Sequence, residues 1–474
     1  MRLSRYSIIV AIDRFSGIAK DGAIVTPPDA KYFKDVTVGS GKNAVVMGRI
    51  TYESIPPKFR PLVSRKNIVV SKTMCQEDNA KVIIKPNLGS ALEYCALDKS
   101  IEKVYIAGGE QIYEQCFSKY MYLCDEIYIT RFPDNCECDQ HFPLPPEVLM
   151  NTAGLSQYSI PLTTFKDTYT TPEFSRFFLR PICIHPEEEY KKLLSKILEC
   201  GEHKIDRTGV GTLSLFAETI KFDLRGTIPI ITLRKINYMN IIKELLFFIS
   251  GQTDTKILEN KGVKIWKANT SRQFLDDRNL DYPEGEMGPG YSFQWRKWGQ
   301  NYEEYLLKKD PSEKGIDQLD NAIKMIKHQP TSRRICVSAW NVSDLEKMAL
   351  PPCHLFYQFH ISKGSHLDCN VIMRSCDMAL GFCYNLTSYA LLVYMIAHLT
   401  GLKPGTLSFQ LGDAHIYDTH ISGVKRMLKR TPKPFPNLYF RKADSLRVID
   451  DFTEETFLIE GYDSWDTVKF EMAV

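Results

Sequence analysis

One cysteine in this chain stands in company that could make it a nucleophile. Leu350-Pro351-Pro352-Cys353-His354 is followed downstream by Arg374-Ser375-Cys376-Asp377, then by Asn385, then by His415-Ile416-Tyr417. The thiolate is the attacking form of a cysteine, so it needs a cation nearby, and Arg374 is the candidate. Arginine forks also grip anions at two points. Arg333-Arg334, with Arg374 and Ser375, could form a four-donor anion site. Arg207, in Asp206-Arg207-Thr208-Gly209-Val210-Gly211, could reach a phosphate. Each piece alone has a blander reading: a small buried thiol, a solvated arginine pair, a glycine turn. Glu244 lies within Lys243-Glu244-Leu245-Leu246-Phe247-Phe248, in an apolar helix where an unpaired carboxylate is costly and a proton-handling role would justify it. A helix-surface position is the alternative.

The first half of the chain carries a different pattern. Val46-Met47-Gly48-Arg49-Ile50-Thr51 reads as a strand, a turn and a helix start, and a helix N-terminus bearing Arg49 and Thr51 is an anion site. Ser71-Lys72 follows the next strand and could hold another phosphate. Ala107-Gly108-Gly109 makes a tight turn where a pyrophosphate could approach the backbone, although a single Gly-Gly is a weak signal. Cys136-Glu137-Cys138 lacks the second Cys/His pair of a zinc site and reads as a loop, so no metal is expected.

These groups need a scaffold. Ser7–Ile12, Asn43–Gly48, Lys66–Ser71, Lys103–Ala107 and Glu126–Thr130 read as short apolar strands, with helical patterns over Pro28–Asp35 and Gly109–Phe117. That alternation predicts an open, mostly parallel sheet with helices on both faces, closed by a strand pair near Gln157–Phe165 and Phe174–Leu179. Two prolines interrupt the pattern at Arg180-Pro181-Ile182-Cys183-Ile184-His185-Pro186. A new amphipathic helix then starts at Glu187, with Tyr190, Leu193, Leu194 and Ile197 at helical spacing. The expected domains are 1–182, of α/β class, and 183–474, of α+β class. In the second, helices are expected over Tyr238–Ser250 and Asn385–Leu399, and strands over Arg334–Trp340, Leu355–Ile361 and Leu367–Met373.

At 474 residues the chain suits two or three domains. A net charge of +3 argues neither for nor against a nucleic-acid surface, and no segment reads as a membrane span. Thirteen scattered cysteines fit a reducing compartment, with cytoplasm the expected location.

The motifs of the second half resemble thymidylate synthase. The resemblance implies that Cys353 adds to C6 of the uracil ring of dUMP, activating C5 towards 5,10-methylenetetrahydrofolate. Arg207, Arg374 and Ser375 would hold the nucleotide phosphate, with Arg333 and Arg334 supplied by the other subunit of a homodimer. Asn385 would hold the uracil edge, and His415 and Tyr417 the sugar hydroxyl. Asp377 would grip the pterin, with Trp266 and Asn269 lining the folate pocket. Glu244 would manage protons and Tyr291 assist their removal. Glu471-Met472-Ala473-Val474 matches a tail that closes over both ligands. Met373, Cys383-Tyr384, Gly290, Ser292, Lys297 and Arg234 depart from the family's usual residues, but none removes a bond-making group.

Residues 6–180 resemble dihydrofolate reductase. Here the resemblance implies that Asp29 meets the pterin ring beside Phe33, that Arg60 pairs with the folate glutamate, and that Ala11, Arg49, Thr51, Ser71, Lys72, Gly108 and Gly109 hold NADPH. The segment Gly22–Pro28 is shorter than usual before Asp29 and lacks a tryptophan. Together the halves resemble a bifunctional dihydrofolate reductase–thymidylate synthase, acting on small molecules with no nucleic acid or membrane as partner. Three other readings are a synthase with an inactive reductase-like domain, a weakened regulatory partner of an active homologue, and a DNA cytosine-type methyltransferase. The last would need an S-adenosylmethionine site and a basic groove, and neither is evident.

Overall fold

A computed structural model of the chain describes residues 3–24, 30–75, 81–143, 162–170, 175–181, 185–205, 209–309 and 314–472. It divides into two compact units, Met1–His185 and Pro186–Val474.

The first unit is built on an eight-stranded sheet. Across it run Leu162–Thr170, Ser175–Pro181, Cys124–Arg131, Tyr6–Ile12, Val104–Ile106, Ala44–Gly48, Lys66–Val70 and Val82–Lys85. Pairing is parallel from Cys124–Arg131 to Val82–Lys85 and antiparallel at the other edge. The central strands are near-continuous apolar runs because both faces are covered, with Ile8, Val46, Ile68 and Ile106 fully buried. One face packs against the helix Leu88–Leu97 and the turns around Ile112, and the other against Phe33, Tyr52 and Leu62.

The expected helix over Pro28–Asp35 is seen from Ala30 to Val38, its first two residues lying outside the described region. Glu110–Gln115 forms the other expected helix and continues as a wider turn to Tyr120. Sequence reading missed the edge strand Val82–Lys85 and the helix after it, although Asn87 caps that helix by accepting from the Ser90 N–H at 2.9 Å.

The second unit begins with the helix Glu187–Cys200, whose Tyr190, Leu193, Leu194 and Ile197 are buried. Its six-stranded sheet runs in the order Glu202–Lys204, Thr212–Asp223, Lys403–Tyr417, His366–Asp377, His354–Ser362, Cys336–Ser338. Only His366–Asp377 and Lys403–Tyr417 pair in parallel. Helices Tyr238–Ile249 and Gly381–Thr400 form the core against it.

The latter helix corrects two expectations. It starts at Gly381 rather than Asn385, and over its 20 residues it is long and apolar enough to cross a membrane by length and composition. Its apolar character has another cause. The helix threads the middle of the unit, with Phe382, Leu386, Leu391, Leu392 and Ile396 all fully buried. The expected strand Arg334–Trp340 is formed only over Cys336–Ser338.

Candidate active sites

Strand register builds the site of the second unit. Cys353 immediately precedes the strand His354–Ser362, and His354 pairs with Met373, next to Arg374. On the following pair, Ser375 lies opposite Asp413 and Asp377 opposite His415. Residues two apart on a strand face the same way, so Ser375 and Asp377 share one face, as do His415 and Tyr417. The edge of three strands thereby gathers side chains from distant parts of the chain.

They line a cavity of about 1090 Å³. Cys353, Glu244, Tyr291, Arg374, Ser375, Asn385, His415, Tyr417, Asp377, Trp266 and Asn269 all contribute to its wall. Arg333 and Arg334 do not. They are exposed, in the turn before Cys336–Ser338. Arg207 lies outside the described residues.

The Arg374 guanidinium is held by the chain it serves. Nε donates to the Pro352 carbonyl and Nη2 to the Pro351 carbonyl, each at 2.8 Å, which brings Nη2 to 3.7 Å from the Cys353 sulfur. The Cys353 N–H donates to the Tyr291 hydroxyl at 2.6 Å. Tyr291, at the start of the helix Tyr291–Lys297, stacks on His354 with ring centroids 4.0 Å apart. Burial holds its phenol well above the ordinary range, so it is a neutral donor and acceptor beside the thiol.

Glu244 projects from the helix Tyr238–Ile249 and accepts the Trp266 indole N–H at 2.8 Å. Burial pushes its carboxyl up to about 7, against the opposing pull of that hydrogen bond. A carboxyl titrating there can both take and give a proton near neutrality.

Asp377 behaves oppositely. Burial would raise it, but His420, His415 and the Leu380 N–H outweigh burial and keep it below the usual carboxylate range. It accepts the Ala379 and Leu380 N–H groups at 2.9 and 3.2 Å, an anionic acceptor at the head of the helix Gly381–Thr400. His415 Nδ1 lies 2.9 Å from Asp413 Oδ1. Asn385 directs its amide nitrogen towards the Met373 sulfur, 3.9 Å away.

Sequence reading missed His354 as a wall residue. It is 8% exposed, its Nδ1 lies 2.8 Å from the Tyr389 hydroxyl, and burial pulls it down to about 3, so the ring is neutral. The signal was its place next to Cys353, hidden because a lone buried histidine usually belongs to a core.

In the first unit, the carboxyl ends of adjacent parallel strands collect the expected cofactor residues. Ala11 is next to last on one strand, Gly48 ends the next but one with Arg49 just after it, and Ser71-Lys72 follow the third, with Gly108-Gly109 after the strand between. This is where ligands sit in open α/β sheets. The Gly48 N–H donates to the Gly108 carbonyl at 2.8 Å. Gly108 has φ +106°, a conformation that favours glycine, and a Cβ on Gly109 would make a tight 3.1 Å contact with the Thr51 hydroxyl. Arg49 is engaged by Glu53 at 2.8 Å. Arg60 donates to the Glu53 carbonyl at 2.8 Å and lies 5.8 Å from the Tyr52 ring centre. Phe33, half-buried, packs below Arg65 on the same face of the sheet. Asp29 lies outside the described residues.

Comparison with known proteins matches both halves. The dihydrofolate reductase family profile covers residues 5–151 and the thymidylate synthase profile residues 188–474. The chain is 37% identical to the bifunctional dihydrofolate reductase-thymidylate synthase of Zea mays over 99% of its own length and 97% of the relative's. It is 38% identical to the enzyme of that name in Glycine max over 99% and 95%. With that of Leishmania major it shares 37% identity over 100% and 96%. The chain belongs to the bifunctional dihydrofolate reductase–thymidylate synthase family.

Proposed function

We propose that the chain methylates dUMP to dTMP with 5,10-methylenetetrahydrofolate in its second unit, and reduces the dihydrofolate so formed with NADPH in its first. One observation carries the reading: a single cavity collects a thiol, the guanidinium that donates to it, a depressed acid, a raised acid, an amide and a His-x-Tyr pair. Cys353 is the nucleophile towards uracil C6, and Arg374, Ser375 and Arg207 hold the phosphate. Asn385 reads the uracil edge, while His415 and Tyr417 take the sugar hydroxyl. Asp377, Trp266 and Asn269 hold the folate, and Glu244 and Tyr291 handle protons. Arg333 and Arg334, exposed and outside their own cavity, are free to serve that of a second copy, which supports a homodimer.

The glycine cradle at Gly108-Gly109 fits a pyrophosphate, with Arg49, Thr51, Ser71 and Lys72 as anion ligands and Ala11 beside it. NADPH, when bound, supplies hydride. Asp29 supports the proton, and Phe33 and Arg60 hold the folate. Relatives that match across both halves favour two activities over a lone synthase or a regulator. Cytoplasm is the proposed location, supported by thirteen cysteines scattered without the regular spacing of a disulfide framework.

The test is two separate assays on the purified full chain: dTMP formation from dUMP with methylenetetrahydrofolate, and NADPH oxidation with dihydrofolate. Both activities are expected. Cys353→Ser should abolish only the first and Asp29→Asn only the second. Absence of either activity from the wild type overturns that half of the reading.

A further inference from the structure

One buried imidazole ties the irregular segment Tyr462–Met472 to the cavity wall. His420 ends the turn Asp418–His420, just past the strand Lys403–Tyr417, and is 1% exposed. Its Nε2 lies 2.7 Å from the Glu471 carbonyl oxygen. Its Nδ1 lies 3.6 Å from Asp377 Oδ1, an ion-pair separation too long for a hydrogen bond, and is otherwise unpartnered.

A carbonyl only accepts, so Nε2 carries a proton. A neutral ring would then turn a bare lone pair at Nδ1 towards a carboxylate, which repels it. An imidazolium turns an N–H there instead. Asp377 cannot readily supply that proton itself, because it already accepts two backbone N–H groups, which stabilise its anion.

A second contact ends at the same segment. The helix Ile421–Leu428 starts directly after His420, and a Cβ on its Gly423 would lie 2.4 Å from the Phe470 ring. The missing side chain is the seat of Phe470, which with Met472 lines the cavity.

We propose that His420 is a positioning residue for the synthase reaction: as an imidazolium it clamps the Glu471 main chain to the Asp377 carboxylate, so that Lys469–Met472 covers the folate subsite only while the pair is charged. This rests on the reading of Asp377 as the acid that grips folate.

Other charged groups face the ring from each packed element. Asp418, on its own turn, is engaged by His203 at 2.8 Å. His415, on the strand before, is engaged by Asp413, and Tyr417 lies edge-on to the ring. Arg234 opposes protonation, but it donates to the Ala379 carbonyl at 3.1 Å and covers the Phe470 ring. Burial lowers His420, yet Asp377 and the Glu471 carbonyl outweigh burial and Arg234 and hold it above its ordinary value. The clamp therefore persists to a higher pH than the charge of an ordinary histidine. It weakens as pH rises through the raised histidine value, and again as pH falls through the depressed value of Asp377.

The experiment follows amide-exchange protection of Lys469–Met472 against pH in the full chain and in His420→Gln, whose amide can still donate to Glu471 but carries no charge. Wild-type protection should fall about tenfold between pH 6.5 and 9. In the variant it should be low and flat. The variant's KM for methylenetetrahydrofolate should rise about tenfold at pH 6.5 and lose its pH dependence, with kcat within about twofold and dUMP binding unchanged. Flat wild-type protection overturns the clamp without any variant, and so does a variant that keeps the wild-type profile. A wild type that lacks methylation activity refutes the functional reading instead, and the exchange comparison still decides the clamp.

Discussion

Arg374 holds Cys353 at two points: its backbone N–H donates to the Cys353 carbonyl at 2.9 Å, and its Nη2 lies 3.7 Å from the sulfur. The same guanidinium is anchored on the Pro351 and Pro352 carbonyls. Lysine has the charge but not the fork. Arg374→Lys should therefore lower kcat/KM for dUMP roughly 10–100-fold, the worth of one or two charge-assisted hydrogen bonds. Steady-state methylation kinetics check this, and an unchanged kcat/KM would contradict it.

Glu244 gives a pH signature. Its ordinary value is 4.5 and its folded value about 7. Between those pH values the folded chain holds the proton more tightly than the unfolded chain, so this contribution to stability declines as pH rises and is gone above about 7. Glu244→Gln can still accept from Trp266 but does not titrate. Relative to wild type, its melting temperature should rise between pH 5 and 8, while its kcat falls about 10²–10⁴-fold. Calorimetry and the methylation rate check the two effects.

Gly108→Ala separates the two activities. At φ +106° a side chain is strained by about 1–3 kcal/mol, and it would meet the Tyr113 ring at 3.3–3.5 Å. NADPH affinity should drop at least tenfold while dTMP formation is retained. A variant with wild-type NADPH affinity would show that the cradle is not the cofactor's.

Glu187 ties the start of the helix Glu187–Cys200 to Thr232-Leu233. It is fully buried and accepts the Thr232 and Leu233 N–H groups at 2.8 and 3.0 Å and the Thr232 hydroxyl. Glu187→Ala would strand those donors, at about 1–3 kcal/mol for each left unpaired. Denaturant unfolding of the full chain should register the loss in the transition of the second unit.

How far the sequence could be read depended on what each residue was doing. Strands such as Asn43–Gly48, observed over Ala44–Gly48, were legible because a parallel sheet buried on both faces needs uninterrupted apolar runs. The strand Lys403–Tyr417 was missed even though Leu407, Phe409 and Leu411 alternate cleanly. Gly405 and Gly412 flank that alternation, and they mark close approach. A Cβ on Gly412 would lie 2.6 Å from the Arg374 carbonyl, and one on Gly405 would collide with Asp368.

The reactive and polar wall residues of the large cavity, such as Cys353, Glu244, Arg374 and Asp377, were legible because chemistry restricts which side chains can do the work, whereas Ile265, Phe274, Arg278 and Trp340 carry no such signal. His354 and His420 escaped. Their significance lies in partners distant in sequence, Tyr389, Asp377 and Glu471, which no local pattern displays.

The most direct test is the thiol itself. Cys353→Ser in the full chain should bind dUMP with wild-type affinity, since the arginines and Asn385 remain, and should form dTMP at least 10³-fold more slowly, because a hydroxyl is a far weaker nucleophile at neutral pH. A serine variant that makes dTMP at the wild-type rate would contradict the account.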